Sequence, residues 1–290
     1  MTVRSEDCLD VSRVVPRAAV DSMAPGAIVR ELTRDERTGG EHVVIECAPL
    51  WSAPAAGYST SGQDFYVVDG ALTVGPHQLA TGSYMYVSEG VRFGPLKSER
   101  GCRVIVFRNK SHNFVPSEAS AAGAEDDGIV GPLETWSLPW KDPMQDIVKK
   151  STYLDPETGR GARPPGVLTK TLRHLHLPNR REMVALTSLA PGFIDPGTEH
   201  HPHDECLYLV AGDAYIGLTY DPRNEDRKED LKLQKDHYIA RPPGIRHGPV
   251  CTQTGALWLI YMNDKYTGLY TEVPGWKPMI RRYMAEASYR

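Results

Sequence analysis

The chain is short of several features that would classify it quickly. No apolar run among its 290 residues approaches the ~18 needed to cross a bilayer, so the sequence offers no spanning helix. It has no excess of basic residues: 33 Lys and Arg against 37 Asp and Glu leave a net charge of −4. Neither a basic patch nor a basic amphipathic helix is present, which removes the usual grounds for binding nucleic acid or an anionic membrane and leaves small molecules as the expected partners. The five cysteines, Cys8, Cys47, Cys102, Cys206 and Cys251, are odd in number, scattered and without a CxxC pair, which suits reduced thiols. The charged start Met1-Thr2-Val3-Arg4-Ser5-Glu6-Asp7 leads into no apolar core and does not read as a secretory signal. A cytoplasmic location is the simplest expectation.

What the chain does have is one dense cluster of ligating side chains. Thr198-Glu199-His200-His201-Pro202-His203-Asp204-Glu205 packs three imidazoles and two glutamates just ahead of the apolar run Leu207-Tyr208-Leu209-Val210. In an extended chain side chains repeat every second residue, so Glu199, His201, His203 and Glu205 share one face, His200 and Asp204 the other. Pro202 cannot donate to a sheet ladder, which predicts a kink or turn there. By the same alternation Cys206 points away from the ligand face and reads as a core cysteine. A second stretch, from Asp236-His237-Tyr238-Ile239 through Pro242-Pro243-Gly244 to His247, reads as a strand, a Pro-Gly turn and a histidine just after it. Such a turn reverses the chain and can return His247 toward the first cluster.

Together the two stretches resemble the paired signature motifs of the cupin superfamily. The first motif runs Gly, five residues, His-x-His, three or four residues, Glu, six residues, Gly; Glu205 and Gly212 fit its second half. In that register the second histidine falls on His201 and the first on Glu199, a departure from the pattern. The second motif, Gly, five residues, Pro-x-Gly, two residues, His, is met at Pro242, Gly244 and His247, with Asp236 in place of the first Gly. The resemblance implies a divalent metal held by Glu199, His201, Glu205 and His247, with His203 or His200 as substitutes. It also implies an all-β fold built from the double-stranded β-helix, or jelly-roll, barrel.

The chain also repeats itself. Pro25-Gly26-Ala27-Ile28 returns as Pro165-Gly166-Val167-Leu168, Asp64–Gly75 matches Asp204–Gly217 anchored on Gly70 and Gly212, and Ser88–Pro95 echoes Pro242–Pro249. The larger offset of the last match places extra residues between the motifs of the second copy, most naturally in the charged stretch Asp221–Asp230, expected as an exposed loop or hairpin tip. In this alignment Gly57, Ser59, Gln63 and Phe93 stand where Glu199, His201, Glu205 and His247 stand, and none is a good divalent-metal ligand. The expectation is two tandem cupin barrels: residues 1–115 without metal ligands, a connector over 116–160, and a metal-binding barrel over 161–290. Within the connector, Pro116–Gly128 is small and acidic, and Trp136 and Trp140 are expected to pack one domain against the other. Runs such as Met183–Thr187 and Ala256–Tyr261 read as strands.

Fold alone does not choose a reaction. Three imidazoles and one carboxylate leave a divalent ion with a net charge near +1, and a second carboxylate at Glu199 brings it toward zero, which favours harder ions. Iron(II) is therefore the favoured cofactor, with Mn(II), Zn(II) or Ni(II) as options. The leading expectation is a non-haem dioxygenase acting on a small oxygenated substrate such as an enol, a diketone or a phenol, with Glu205 as the catalytic carboxylate and Tyr215, Trp258 and Arg246 as pocket residues. The alternatives are a non-redox isomerase or lyase, in which the ion polarises a carbonyl while Glu205 or a histidine moves a proton, and a cupin that binds a small molecule without reacting. A homodimer is compatible with the sequence.

Overall fold

The structure is a computed structural model, which describes residues 8–17, 23–124, 128–142, 166–177, 180–195, 197–221, 224–263 and 269–272. The described residues are almost entirely strands and turns, with two 3-10 turns, Val11–Arg13 and Thr135–Ser137. Among them no helix is long and apolar enough to cross a membrane. The chain divides into two compact units, Val11–Leu138 and Pro139–Arg290; the short strand Leu9–Asp10 belongs to the second, where it pairs with Tyr238 and His237.

In the first unit the β-branched and aromatic runs His42-Val43-Val44-Ile45 and Val104-Ile105-Val106-Phe107 suit a pleated surface buried on both faces. Glu41–Ala53 and Leu96–Arg108 lie side by side in a seven-stranded sheet, continued by Gln63–Val74, Ser83–Val87 and Ile129–Glu134 on one side and by Ile28–Arg34 on the other. Alternate residues, Val43, Ile45, Phe65, Val67, Met85, Val87, Val104 and Val106, point into one core. Each such side chain, fully buried, contributes about 1.5–3 kcal/mol. A smaller sheet of Phe114–Pro116, Gly57–Ser59 and Arg92–Phe93 stands beside it.

The second unit repeats this plan. Val167–Leu177, Arg180–Leu189, Ala256–Met262 and Glu205–Asp221 are successive neighbours in its sheet, with His237–Arg241 also on Glu205–Asp221. Its core holds Met183, Leu209, Ile239, Trp258, Ile260 and Met262. Each of the two units is all-β, its strands arranged as in a jelly-roll barrel.

The repeat is visible in the backbone. Gly70 and Gly212 both have positive φ (76° and 85°), and a Cβ added there would lie 2.1 Å from the Gly101 carbonyl oxygen and 1.8 Å from that of Gly255. Only glycine fits so close an approach. Asp236, which replaces the glycine of the second motif, keeps the left-handed backbone that the motif requires, with φ 69° against 81° at Gly82. Aspartate tolerates that region better than most residues, and the Tyr208 hydroxyl donates to its carboxylate at 2.7 Å.

Two expectations need amendment. Part of the stretch expected as a connector is structure: Ile129–Glu134 pairs with Ser83–Val87, because Ile129, Val130 and Leu133 supply apolar residues that the acidic composition just upstream masks. The remainder from residue 143 to 165 lies outside the described residues. The charged stretch at 221–230, expected as a loop or hairpin tip, includes a hairpin arm, since Asn224–Gln234 pairs with Glu205–Asp221; the ladder bonds come from backbone N–H and C=O groups, which charged residues carry as apolar ones do. The Trp136 ring packs on Gly82, and Lys170 Nζ lies 4.2 Å above the Trp140 ring.

Candidate metal centre

Pro202 does interrupt the alternation. Gly197–His200 is a strand, residues 201–204 form a bend, and a new strand starts at Glu205. The bend is pinned at both ends. Asp204 N–H donates to Asn263 Oδ1 at 2.9 Å, and Gly244 N–H, in the Pro242–Gly244 turn, donates to the His201 carbonyl at 2.9 Å. That second bond ties the turn of the second motif onto the histidine of the first, which is how His247 is brought back across the barrel. The short strand Arg246–His247 then pairs with both Glu199 and Thr219.

Among the described residues, His201, Glu205 and His247 are brought together, all buried, with one ligating atom from each within 4.8 Å of the others. Glu205 Oε2 is 3.3 Å from His201 Nε2 and 3.6 Å from His247 Nε2. Donors about 2.1 Å from a common ion sit about 3.0 Å apart in an octahedron and about 3.4 Å apart in a tetrahedron, so these separations fit a shared divalent cation.

The tautomers fit as well. His201 Nδ1 lies 2.8 Å from the His203 carbonyl oxygen, and His247 Nδ1 lies 3.3 Å from that of Ile245. A carbonyl only accepts, so each Nδ1 donates its proton there and leaves Nε2, which faces Glu205, as the ring atom available to a cation. Two imidazole Nε2 atoms and a carboxylate gathered at one point are a donor set suited to a cation. The two rings meet edge to face, centroids 5.3 Å apart at 65°.

The other expected ligands are placed differently. His203 is stacked almost parallel on His201, centroids 4.4 Å apart at 12°, and lies outside the group of three. His200 also lies outside it, half-buried at the end of its strand; burial, then Arg246 and His201, holds its pKa below the usual imidazole value. The Glu199 backbone faces that of His247 across the ladder, while its side chain lies outside the described residues. Cys206 is buried, with its thiol pushed up chiefly by that burial. Of the suggested pocket residues, Trp258 belongs to the core cluster, Tyr215 is buried and Arg246 is exposed.

The first barrel shows what the same framework does without the ligands. Gly57 pairs with Phe93 as Glu199 pairs with His247, and Gln63 faces Arg108 as Glu205 faces Met262. Phe93 fills its corner against Phe65 and Phe114, at centroid distances of 6.2 and 5.7 Å. At the level of Glu205, Arg108 Nε donates to Gln63 Oε1 at 3.1 Å and Nη1 donates to Glu41 Oε1 at 2.5 Å. A guanidinium thus occupies the level at which the second barrel gathers its donors.

Two features escaped the sequence reading. Asn263, which holds the ligand bend, has a counterpart in Asn109, whose Oδ1 accepts from the Ser61 hydroxyl at 3.2 Å; extending the repeat by one strand would have found it. Arg241, almost fully buried and directly opposite Glu205 in the ladder, has Val87 as its counterpart and carried no local signal.

Comparison of the sequence with protein-family profiles and with curated proteins gives no match. Comparison of the structure does. A candidate dioxygenase from Nostoc punctiforme aligns over 92% of this chain and 86% of its own, with a TM-score of 0.71 and 20% identity. YlbA from Escherichia coli aligns over 92% of both chains, with a TM-score of 0.60 and 14% identity. Oxalate decarboxylase from Bacillus subtilis aligns over 97% of this chain and 84% of its own, with a TM-score of 0.55 and 12% identity. At these identities the likeness concerns the fold, and the fold of this chain is that of the cupins.

Proposed function

We propose that the second barrel holds a divalent metal, with iron(II) favoured, and that the protein is a metal-dependent dioxygenase acting on a small oxygenated organic molecule such as an enol, a diketone or a phenol. The observation that carries this reading is the convergence of His201 Nε2, His247 Nε2 and Glu205 Oε2 on one buried point. Two histidines and one carboxylate with open positions are the donor set of non-haem iron(II) oxygenases, and the activity suggested for the Nostoc protein agrees with it.

Iron(II) in such a site supplies open positions at which a substrate oxygen and dioxygen can meet. The chain's own residues do the rest. The carbonyls of His203 and Ile245 hold the two rings in the ligating tautomer. Glu205 contributes the negative charge through Oε2, and its other carboxylate oxygen can take up a substrate proton. Met262, opposite Glu205 on one side, and Met183 beyond it shield this level of the barrel from water, while the buried Arg241 stands opposite Glu205 on the other side; in such shielded surroundings electrostatic interactions with a bound anion are strengthened.

A second reading keeps the metal and drops oxygen. It is favoured by the likeness to oxalate decarboxylase, a lyase by name, described with Mn(II) centres. An oxygen electrode separates the two. With the iron-loaded protein and a panel of enols, diketones and phenols, the dioxygenase consumes dissolved oxygen in step with substrate. Turnover that proceeds unchanged under nitrogen and with zinc in the site overturns the first reading in favour of the second.

A further inference from the structure

Cys47 and Cys102, fifty-five positions apart in sequence, face each other across the ladder between Glu41–Ala53 and Leu96–Arg108. Directly opposed residues share one face of a sheet, and both thiols belong to the same core cluster. The register also fixes the kind of pair. Pro49 opposes Arg100 in the same ladder, and because proline has no N–H that pair falls in the class not joined by ladder hydrogen bonds. Cys47 and Cys102 lie two residues further along in unbroken register, so they belong to the same class, in which Cα atoms are about 4.5 Å apart and side chains approach most closely. Disulfides need a Cα separation of about 4.4–6.8 Å. The corresponding pair in the second barrel is Leu189 and Ala256, which packs without chemistry.

We propose that Cys47 and Cys102 form an oxidant-responsive dithiol site that closes to a disulfide, fastening these two strands of the first barrel together. The two thiols act on each other directly: Cys47 holds the Cys102 thiol below its ordinary pKa against the opposing effect of burial, while Cys102 and burial push the Cys47 thiol up. Cys102 is therefore the attacking thiolate. The pair is buried yet close to the surface, at 7% and 8% exposure, beside Leu50, which stands out at 84%. A small oxidant such as hydrogen peroxide suits that access. The Cys102 sulfur attacks one peroxide oxygen, the O–O bond breaks and hydroxide leaves to become water, giving a sulfenic acid. The Cys47 sulfur then displaces the hydroxyl, which departs as water with the Cys47 proton, and the S–S bond forms. One peroxide is reduced to two waters as two thiols are oxidised.

The test uses the full-length protein, reduced, freed of reductant and treated with stoichiometric hydrogen peroxide. It is then unfolded, alkylated and mapped by mass spectrometry. The expected result is a Cys47–Cys102 linked peptide pair lacking two hydrogens, released by dithiothreitol, with Cys8, Cys206 and Cys251 alkylated. In Cys47→Ser the Cys102 sulfenic acid is expected to persist and to be captured by dimedone. Recovery of both cysteines as alkylated thiols, over-oxidation of Cys102 without a link, or a link from either cysteine elsewhere would overturn the proposal. The wild-type map decides the matter even if the variant fails to fold.

Discussion

If His201, Glu205 and His247 share a cation, that cation stabilises the second barrel by mass action, and the increment should depend on the Glu205 charge. At free metal one hundred times its dissociation constant, binding to the folded state alone contributes about 2.7 kcal/mol. For a domain of about 150 residues each kcal/mol moves the midpoint by about 2–4 °C, so loading should raise the second barrel's unfolding temperature by about 5–11 °C over the chelator-treated protein. Glu205→Gln is nearly isosteric but replaces the anionic donor 3.3 and 3.6 Å from the two imidazole nitrogens with a neutral amide. If affinity falls roughly one hundredfold, the increment at the same metal concentration shrinks to about 0.4 kcal/mol, or about 1–2 °C. Differential scanning calorimetry with Mn(II), with zinc and with chelator reads this directly. The same metal-dependent rise in wild type and Glu205→Gln, or no rise in either, would refute the reasoning. A proton shared between His201 and Glu205 in place of a metal predicts that second outcome.

The first barrel gives further predictions. Arg108→Met removes the guanidinium that Glu41 and Gln63 both bond inside the core and should destabilise that unit by about 3–5 kcal/mol in denaturant titration; a loss below 1 kcal/mol would mean that Arg17 and Arg34, which also reach Glu41, compensate fully. Burial pushes the Glu41 pKa up, but Arg108, then Arg17 and Arg34, outweigh it and hold the carboxyl below its ordinary value. A carboxylate lowered in the folded state contributes stability above its unfolded pKa and loses it as pH falls through the folded one, so this unit's denaturation midpoint should drop in acid, with a shallower drop in Arg108→Met. Equal pH slopes in the two proteins would contradict the assignment. In the second barrel Gly212→Ala combines a positive φ with an added Cβ 1.8 Å from a backbone oxygen and should cost about 3 kcal/mol or more; an unchanged midpoint would show that the strand can move aside.

Much of this was legible in the sequence because backbone geometry leaves strong marks. Gly70, Gly212 and Gly244 stand where the chain has positive φ, and alternating apolar residues such as Val104 and Val106 announce a buried sheet. His201, Glu205 and His247 could be paired because a Pro-Gly turn is a local instruction. The orientation of His203 was not legible: alternation put it on the ligand face, but the bend after Pro202 stacks it on His201 instead. Asn263 and Arg241 act across the ladder from residues far away in sequence, and no local pattern encodes such a meeting. The meeting of Cys47 with Cys102 escaped for the same reason, since cysteines scattered along the chain can still be neighbours in a sheet.

The central claim is that the second barrel holds a divalent ion through His201, Glu205 and His247 and that the first holds none. The most direct measurement is the metal content of the dialysed full-length chain by plasma mass spectrometry. One equivalent is expected in wild type and in Phe93→Ala, and close to none in His201→Ala and His247→Ala, with the strand-rich circular dichroism spectrum of each variant retained. A full equivalent in the folded His247→Ala protein, or metal lost from Phe93→Ala alone, would contradict the account.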